Sequence, residues 1–158
     1  MKGRTLEKLV ECSRSGVVLF KIPNGTKYLP GGRSVPTKTL VDFLGCESST
    51  GRLICLDCKE RVARDSSFRC DDKTLKPHQR QHLLDFHKAG AVSGVLAMDS
   101  AGSVYWFPAW MLDGVTSLKW ESAAWTGDGD YSINWAAMIA AHNLAFDRWK
   151  LKGLLKGI

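Results

Sequence analysis

Residues 53–59 read LICLDCK, an apolar strand pattern that ends in an acid and an amine. Because side chains alternate between the two faces of a strand, Cys55, Asp57 and Lys59 project to the same side. The opposite face carries Ile54, Leu56 and Cys58. Charged groups at the end of an apolar strand cost free energy unless a partner compensates for their burial, and a divalent cation is one such partner. The segment predicts a central strand with a charged site at its end.

A second acid stands on the preceding predicted strand. Asp42 lies within residues 39–44, which a short turn joins to the strand that holds Asp57. Strands joined so closely form an antiparallel hairpin, so the two acids are expected side by side. The order of Asp42, fourteen intervening residues, Asp57, one residue and Lys59 resembles the PD-(D/E)xK motif of nucleases, with Val41 in place of the proline.

Two neighbouring carboxylates suit a hard cation. Mg²⁺ binds octahedrally to oxygen, commonly through one or two carboxylates, with water and phosphate oxygens in the other positions. Asp42 and Asp57 provide the carboxylates, and the backbone carbonyl of Cys58 is a further candidate ligand. A metal there polarises a phosphodiester and acidifies a bound water, while Lys59 orients the water or balances developing negative charge. The pattern predicts Mg²⁺-dependent phosphodiester hydrolysis, with Mn²⁺ as an alternative cation.

Two further segments resemble known junction-cutting enzymes. Residues 2–7, KGRTLE, are similar to the K-G-x-x-x-E opening of the first helix in archaeal Hjc resolvases. That resemblance implies that Glu7 is a metal ligand, with Glu11, one helical turn away, as the alternative. Residues 77–83, PHQRQHL, resemble the H-Q-x-x-H helix of bacterial RecU resolvases, which implies a supporting catalytic role for Gln79.

The resemblance covers about residues 1–108 and implies an α/β fold. This fold is a restriction-endonuclease-like core with a central mixed β-sheet flanked by helices. Residues 109–158 match no known pattern, and we expect a helical extension packed on that core within a single domain. The family cuts four-way DNA junctions as homodimers with Mg²⁺, so branched DNA and a second copy are the expected partners. Neither a small-molecule cofactor nor a membrane is expected.

Periodicity and turn residues predict the other elements of the chain. The predicted helices cover residues 3–15, 77–88 and 131–151, and the predicted strands cover 17–22, 39–44, 52–59, 91–98 and 104–107. Residues 23–38 are expected to form an exposed basic loop without regular structure, reaching toward the junction. Irregular structure is expected over 60–76, a mixed segment over 110–125 and a loop over 126–130.

Size and composition indicate a globular protein, with 158 residues of which 44% are hydrophobic and 24% charged. The net charge is +6, with +6 in residues 1–39 and −4 in residues 99–130. Such a basic region suits a polyanion, although a solvated basic face explains it equally well. The sequence contains neither a membrane-length apolar run nor a secretory signal pattern, and its five cysteines favour free thiols. We therefore expect a cytoplasmic protein.

The site residues allow other interpretations. A zinc site of Cys55, Cys58, Cys70 and His78 or His82 is disfavoured because the first two thiols point to opposite faces of a strand. His78, His82 and His87 are expected on a solvated helix surface or against phosphates. The six tryptophans lie in the last third of the chain, where we expect core and dimer packing rather than base stacking.

Two other functions compete with junction cutting. One is a different endonuclease or nickase of the same superfamily, and the other is a non-catalytic DNA-binding module of the same fold. The presence of all four charged residues of the motif, Glu7, Asp42, Asp57 and Lys59, argues against the non-catalytic module.

Overall fold

The centre of the computed structural model is a six-stranded β-sheet. The structure describes residues 4–23, 25–36, 41–60, 67–128 and 132–156. The sheet consists of β1 (Val17–Lys21), β4 (Phe43–Glu47), β5 (Leu53–Glu60), β7 (Val92–Met98), β8 (Ser103–Pro108) and β10 (Trp125–Asp128), in the spatial order β1-β4-β5-β7-β8-β10. Strands β5 and β7 are parallel, and the other neighbours are antiparallel. The sheet is therefore mixed, as predicted.

Three helices and two small two-stranded sheets accompany the central sheet in the described structure. The helices are α1 (Arg4–Cys12), α2 (Pro77–Lys88) and α3 (Trp135–Lys156). The small sheets pair β2 (Thr26–Tyr28) with β3 (Ser34–Pro36) and β6 (Ser67–Arg69) with β9 (Ser117–Lys119). Single 3₁₀ turns cover Ala109–Leu112 and Trp120–Ser122. No helix in the described ranges is long and apolar enough to cross a membrane.

Strand β5 separates two apolar cores, one on each face of the sheet. Ile54, Leu56 and Cys58 lie in the core that α1 and α3 cover. Cys55 lies in the other core, which contains Leu83 of α2. The predicted alternation of residues 53–59 is confirmed, because consecutive residues of the strand enter different cores.

The last third of the chain adds both a strand and a helix to this architecture. Strand β10 pairs with β8 at the edge of the central sheet. Trp135 and Met138 of α3 are buried in the same core as Leu6 of α1. Trp106, Trp110, Trp120 and Trp135 are all buried, which confirms that tryptophans serve core packing, whereas Trp149 is 49% exposed.

Several predicted elements are confirmed. Helix α2 has the predicted bounds, with Pro77 in its first turn, and Gly90 follows it with a φ of 101°. The hairpin of β4 and β5 and the hairpin of β7 and β8 are both present. Helix α1 is shorter than predicted and ends at Cys12.

The prediction that residues 23–38 lack regular structure is wrong for the described part of that segment. Strands β2 and β3 pair there, and the backbone N–H of Leu29 donates to the carbonyl oxygen of Arg33 at 2.7 Å. Gly31 and Gly32 have φ values of 89° and 79°, a conformation that glycine adopts without strain. The glycines therefore form the turn of a hairpin, and its strands are exposed as predicted. Residues 24, 37 and 38 lie outside the described residues.

Three other boundaries differ from the sequence predictions. Residues 126–128, predicted as a loop, belong to β10, because the edge of β8 provides hydrogen-bond partners that outweigh their turn-forming composition. Asp42 precedes β4 instead of lying inside a strand, and residues 39–40 lie outside the described residues. Ser67–Arg69, predicted as irregular, forms β6 against β9. For β10 and β6, pairing with a distant segment decides the local structure.

Candidate active site

Asp57 is the most buried charged group of the candidate site. It lies on β5 opposite Val95 of the parallel strand β7, and its side chain has no exposed surface. Within the described part of the chain, neither carboxylate oxygen has a hydrogen-bond partner, while Lys59 Nζ lies 2.9 Å from Oδ2 as an ion pair. A desolvated carboxylate served by a single ammonium group still favours additional positive charge.

Asp42 is held against the same strand by a backbone hydrogen bond. The N–H of Cys58 donates to Asp42 Oδ2 at 2.8 Å, and the N–H of Ile22 donates to the backbone carbonyl of Asp42 at 2.8 Å. Burial and then the negative charge of Asp57 raise the pKa of Asp42 to about 7, although the Cys58 N–H and the charge of Lys59 lower it. The structure therefore brings the two predicted carboxylates together in one poorly solvated site.

Lys59 and Gln79 connect this site to α2. Lys59, whose side chain is 19% exposed, donates from Nζ to Gln79 Oε1 at 3.4 Å. The same Gln79 oxygen accepts the backbone N–H of Lys76 at 3.1 Å, at the start of α2. Gln79 is thus fixed by its own helix and positions the amine beside Asp57.

Glu7 flanks the site but is paired with a lysine. Its Oε2 lies 2.8 Å from Lys21 Nζ, and this contact raises the pKa of Lys21. Burial and then the charges of Asp42, Asp57 and Glu7 raise the pKa of the Cys58 thiol, so all three acids surround the same stretch of β5. Among the residues described, no three His, Cys, Asp or Glu side chains are arranged to hold a metal ion. Glu11, the alternative to Glu7, is exposed.

Two residues that sequence reasoning missed support the site. Glu60 Oε1 accepts the backbone N–H of Leu6 at 2.7 Å, which ties the first turn of α1 to the end of β5. Glu60 lies two residues beyond Cys58 and therefore on the α1 face of the strand, so strand alternation could have identified it as a neighbour of α1. Arg80 donates to the carbonyl oxygens of Cys70, Leu112 and Val115, the last at 3.2 Å. Leu112 ends a 3₁₀ turn, and Cys70 and Val115 lie outside the helices and strands, so no sequence pattern indicates these acceptors.

The alternative zinc site is not formed by the cysteines of β5. Cys55 and Cys58 lie in different cores, on opposite faces of the sheet. Burial raises the pKa of Cys55 to about 12 and that of Cys58 well above its ordinary value. Thiols held in this neutral form are poor zinc ligands, because zinc binds the thiolate.

The donor set at Asp42 and Asp57 fits a hard cation. Both oxygens of Asp57 are buried with a single ammonium group as ion-pair partner, and the adjacent carboxyl group of Asp42 carries a strongly raised pKa. A divalent cation between these groups would relieve their repulsion, and their carboxylate oxygens are the ligands that Mg²⁺ prefers. Asp42 and Asp57 are therefore the residues of the described structure best suited to hold one.

The chain resembles a solved structure in its fold, although its sequence matches no known family. No protein-family model and no curated protein matches the sequence. Among solved structures, the chain is similar to Hjc, a Holliday junction resolvase from the archaeal hyperthermophile Archaeoglobus fulgidus, with a TM-score of 0.52 and 14% sequence identity. The match covers 86% of this chain and 95% of that chain. The two proteins share a fold. The predicted α/β class, with a mixed sheet flanked by helices and a C-terminal helix, is confirmed.

Proposed function

We propose that this protein is a Mg²⁺-dependent endonuclease that cuts four-way DNA junctions as a homodimer. The observation that carries the proposal is the buried Asp57 with the partly buried Asp42 beside it, and with Lys59 2.9 Å from Asp57. The fold, shared with a Holliday junction resolvase, supports the choice of branched DNA as the substrate. A dimer suits this substrate, because a two-fold axis places two identical sites on symmetry-related strands.

Asp42 and Asp57 would hold the cation, with the backbone carbonyl of Cys58 and the carboxylate of Glu7 as further ligands. A cation held by these residues would supply an acidified water molecule and would stabilise negative charge on the phosphate. Lys59 lies next to Asp57 and is held by Gln79, so its amine is placed to orient the attacking water. Burial of Asp57 keeps bulk water away from the charges that act in the reaction.

The hairpin of β2 and β3 is suited to contact DNA near the site. The chain leaves β1 at Ile22 and returns at Asp42, and these two residues are joined by a backbone hydrogen bond of 2.8 Å. The segment that contains the hairpin therefore leaves and rejoins the central sheet beside Asp42, a proposed metal ligand. It carries the exposed cationic residues Lys27 and Arg33, which can neutralise phosphates on a strand that enters the site.

Cleavage of a labelled synthetic four-way junction, with Mg²⁺ or with EDTA, tests the proposal. We expect paired, symmetric incisions that require Mg²⁺, and weaker cutting of duplex, flap and single-stranded DNA of the same sequence. Asp57→Asn should abolish cleavage and leave junction binding intact, because it removes a metal ligand with little change in shape.

Asp147→Asn is the matched control, since Asp147 is an exposed carboxylate on α3 with 66% of its side chain accessible. It should cut the junction like the unmodified protein. Undiminished cleavage by Asp57→Asn would contradict the proposed site. Equal cutting of all the DNA forms would support nuclease activity but reject selectivity for junctions. Junction binding without cutting would indicate a non-catalytic DNA-binding module.

A further inference from the structure

The ion pair between Glu7 and Lys21 lies at the edge of the proposed metal site. Lys21 Nζ is 2.8 Å from Glu7 Oε2, and the two side chains are 50% and 21% exposed. Lys21 is the last residue of β1 and is paired in register with Phe43, the residue that follows Asp42. The ammonium group therefore stands between α1 and the segment that carries the first proposed ligand.

The acids of the site are matched by two lysines in the described structure. Lys59 is paired with Asp57, and Lys21 is paired with Glu7. Glu7 is a ligand of the cation in the proposed function, yet its carboxylate is engaged by an ammonium group. The metal and the ammonium group are both cations, and they repel each other when both contact one carboxylate, so binding of the metal to Glu7 opposes its contact with Lys21.

We infer that Lys21 takes the place of the divalent cation at Glu7 in the metal-free protein and competes with the metal for this carboxylate. This inference rests on the proposed function, since it assumes that a cation binds at Asp42 and Asp57. The lysine acts as a positioning residue: it holds the carboxylate of Glu7 until a metal arrives. Its half-exposed ammonium group is then released toward solvent, where a DNA phosphate can bind it.

A titration with MnCl₂ followed by electron paramagnetic resonance measures this competition without relying on activity. Lys21→Met should bind Mn²⁺ about two- to fivefold more tightly than the unmodified protein, a factor typical of a partly exposed ion pair. Lys27→Met removes the same charge from the exposed hairpin and reports the general effect of net charge. Glu7→Gln and the double variant Glu7→Gln/Lys21→Met complete a double-mutant cycle.

The competition predicts that the gain from Lys21→Met shrinks, on the Glu7→Gln background, to the factor that Lys27→Met produces. An unchanged or lower Mn²⁺ affinity for Lys21→Met would overturn the inference, and so would a gain that persists in full without the Glu7 carboxylate. Thermal melting in EDTA checks that all variants are folded.

Failure of the proposed function gives a different result. If the unmodified protein binds no Mn²⁺, or if Asp57→Asn binds it equally well, the metal site itself is wrong, and the inference falls with it. If Asp57→Asn abolishes binding but Lys21→Met changes nothing, only the role of Lys21 is rejected.

Discussion

Replacing Asp42 with asparagine should change how the stability of the metal-free protein depends on pH. Burial and the adjacent charge of Asp57 raise the pKa of Asp42 from its ordinary value of 3.8 to about 7. The folded state therefore binds this proton more tightly than the unfolded state, and the resulting stability is lost as the pH rises toward 7. The loss amounts to about 1.4 kcal/mol per pH unit and ends near the folded-state pKa of about 7. Between pH 5 and pH 8 only about two pH units contribute, so the loss is about 3 kcal/mol.

Urea unfolding in EDTA at pH 5 and pH 8 measures this loss in the free energy of unfolding. Asp42→Asn has no proton to lose at that position, so its stability should fall by about 3 kcal/mol less over the same range. The comparison cancels the contribution of other titrating groups. Asp147→Asn should follow the unmodified protein.

Parallel pH profiles for the unmodified protein and Asp42→Asn would refute the reasoning, because they would show that Asp42 does not share a buried site with Asp57. Added Mg²⁺ provides a second check. At pH 8 it should stabilise the unmodified protein and have much less effect on Asp42→Asn, since a bound cation stabilises only the folded state that binds it.

Three other predictions concern the amine, a buried histidine and a close backbone contact. Lys59→Met should lower kcat for junction cleavage by about 10²–10³ with little change in junction affinity, as measured by single-turnover kinetics and gel shift; Lys27→Met should mainly weaken binding. His142 Nδ1 accepts the indole N–H of Trp106 at 3.0 Å, and burial lowers the pKa of His142 to about 3. The free energy of unfolding should therefore fall as the pH drops below 6.5. Urea unfolding at pH 7 and pH 4.5 should show that His142→Gln loses about 2–3 kcal/mol less than the unmodified protein over this range. Gly94→Ala should destabilise the fold by about 1–3 kcal/mol in urea unfolding, because the added Cβ would lie 2.3 Å from the carbonyl oxygen of Phe107. The control Gly153→Ala in α3, where an added Cβ meets nothing within 4 Å, should be neutral or stabilising.

The sequence predicted the parts of the fold that depend on local patterns. Alternation along residues 53–59 separates the two cores, and the short turn before them places Asp42 beside Asp57. Pro77 and Gly90 mark the ends of α2 because their backbone preferences act within one or two residues. Such features require no knowledge of distant contacts.

Features that depend on distant partners were not predictable in the same way. Residues 125–128 become a strand only because the edge of β8 is available to them. The contact between Glu7 and Lys21 joins a helix to an edge strand, and its geometry depends on how α1 packs on the sheet. Arg80 binds carbonyl oxygens in segments that have no sequence pattern of their own.

One cation bound between Asp42 and Asp57 is the central feature of the proposed site. Diffraction from crystals of the protein soaked in MnCl₂, recorded to maximise the anomalous scattering of manganese, locates that cation. We predict an anomalous peak in contact with both carboxylates. A fully soaked crystal with no peak there, and with Asp57 still paired only with Lys59, would contradict it.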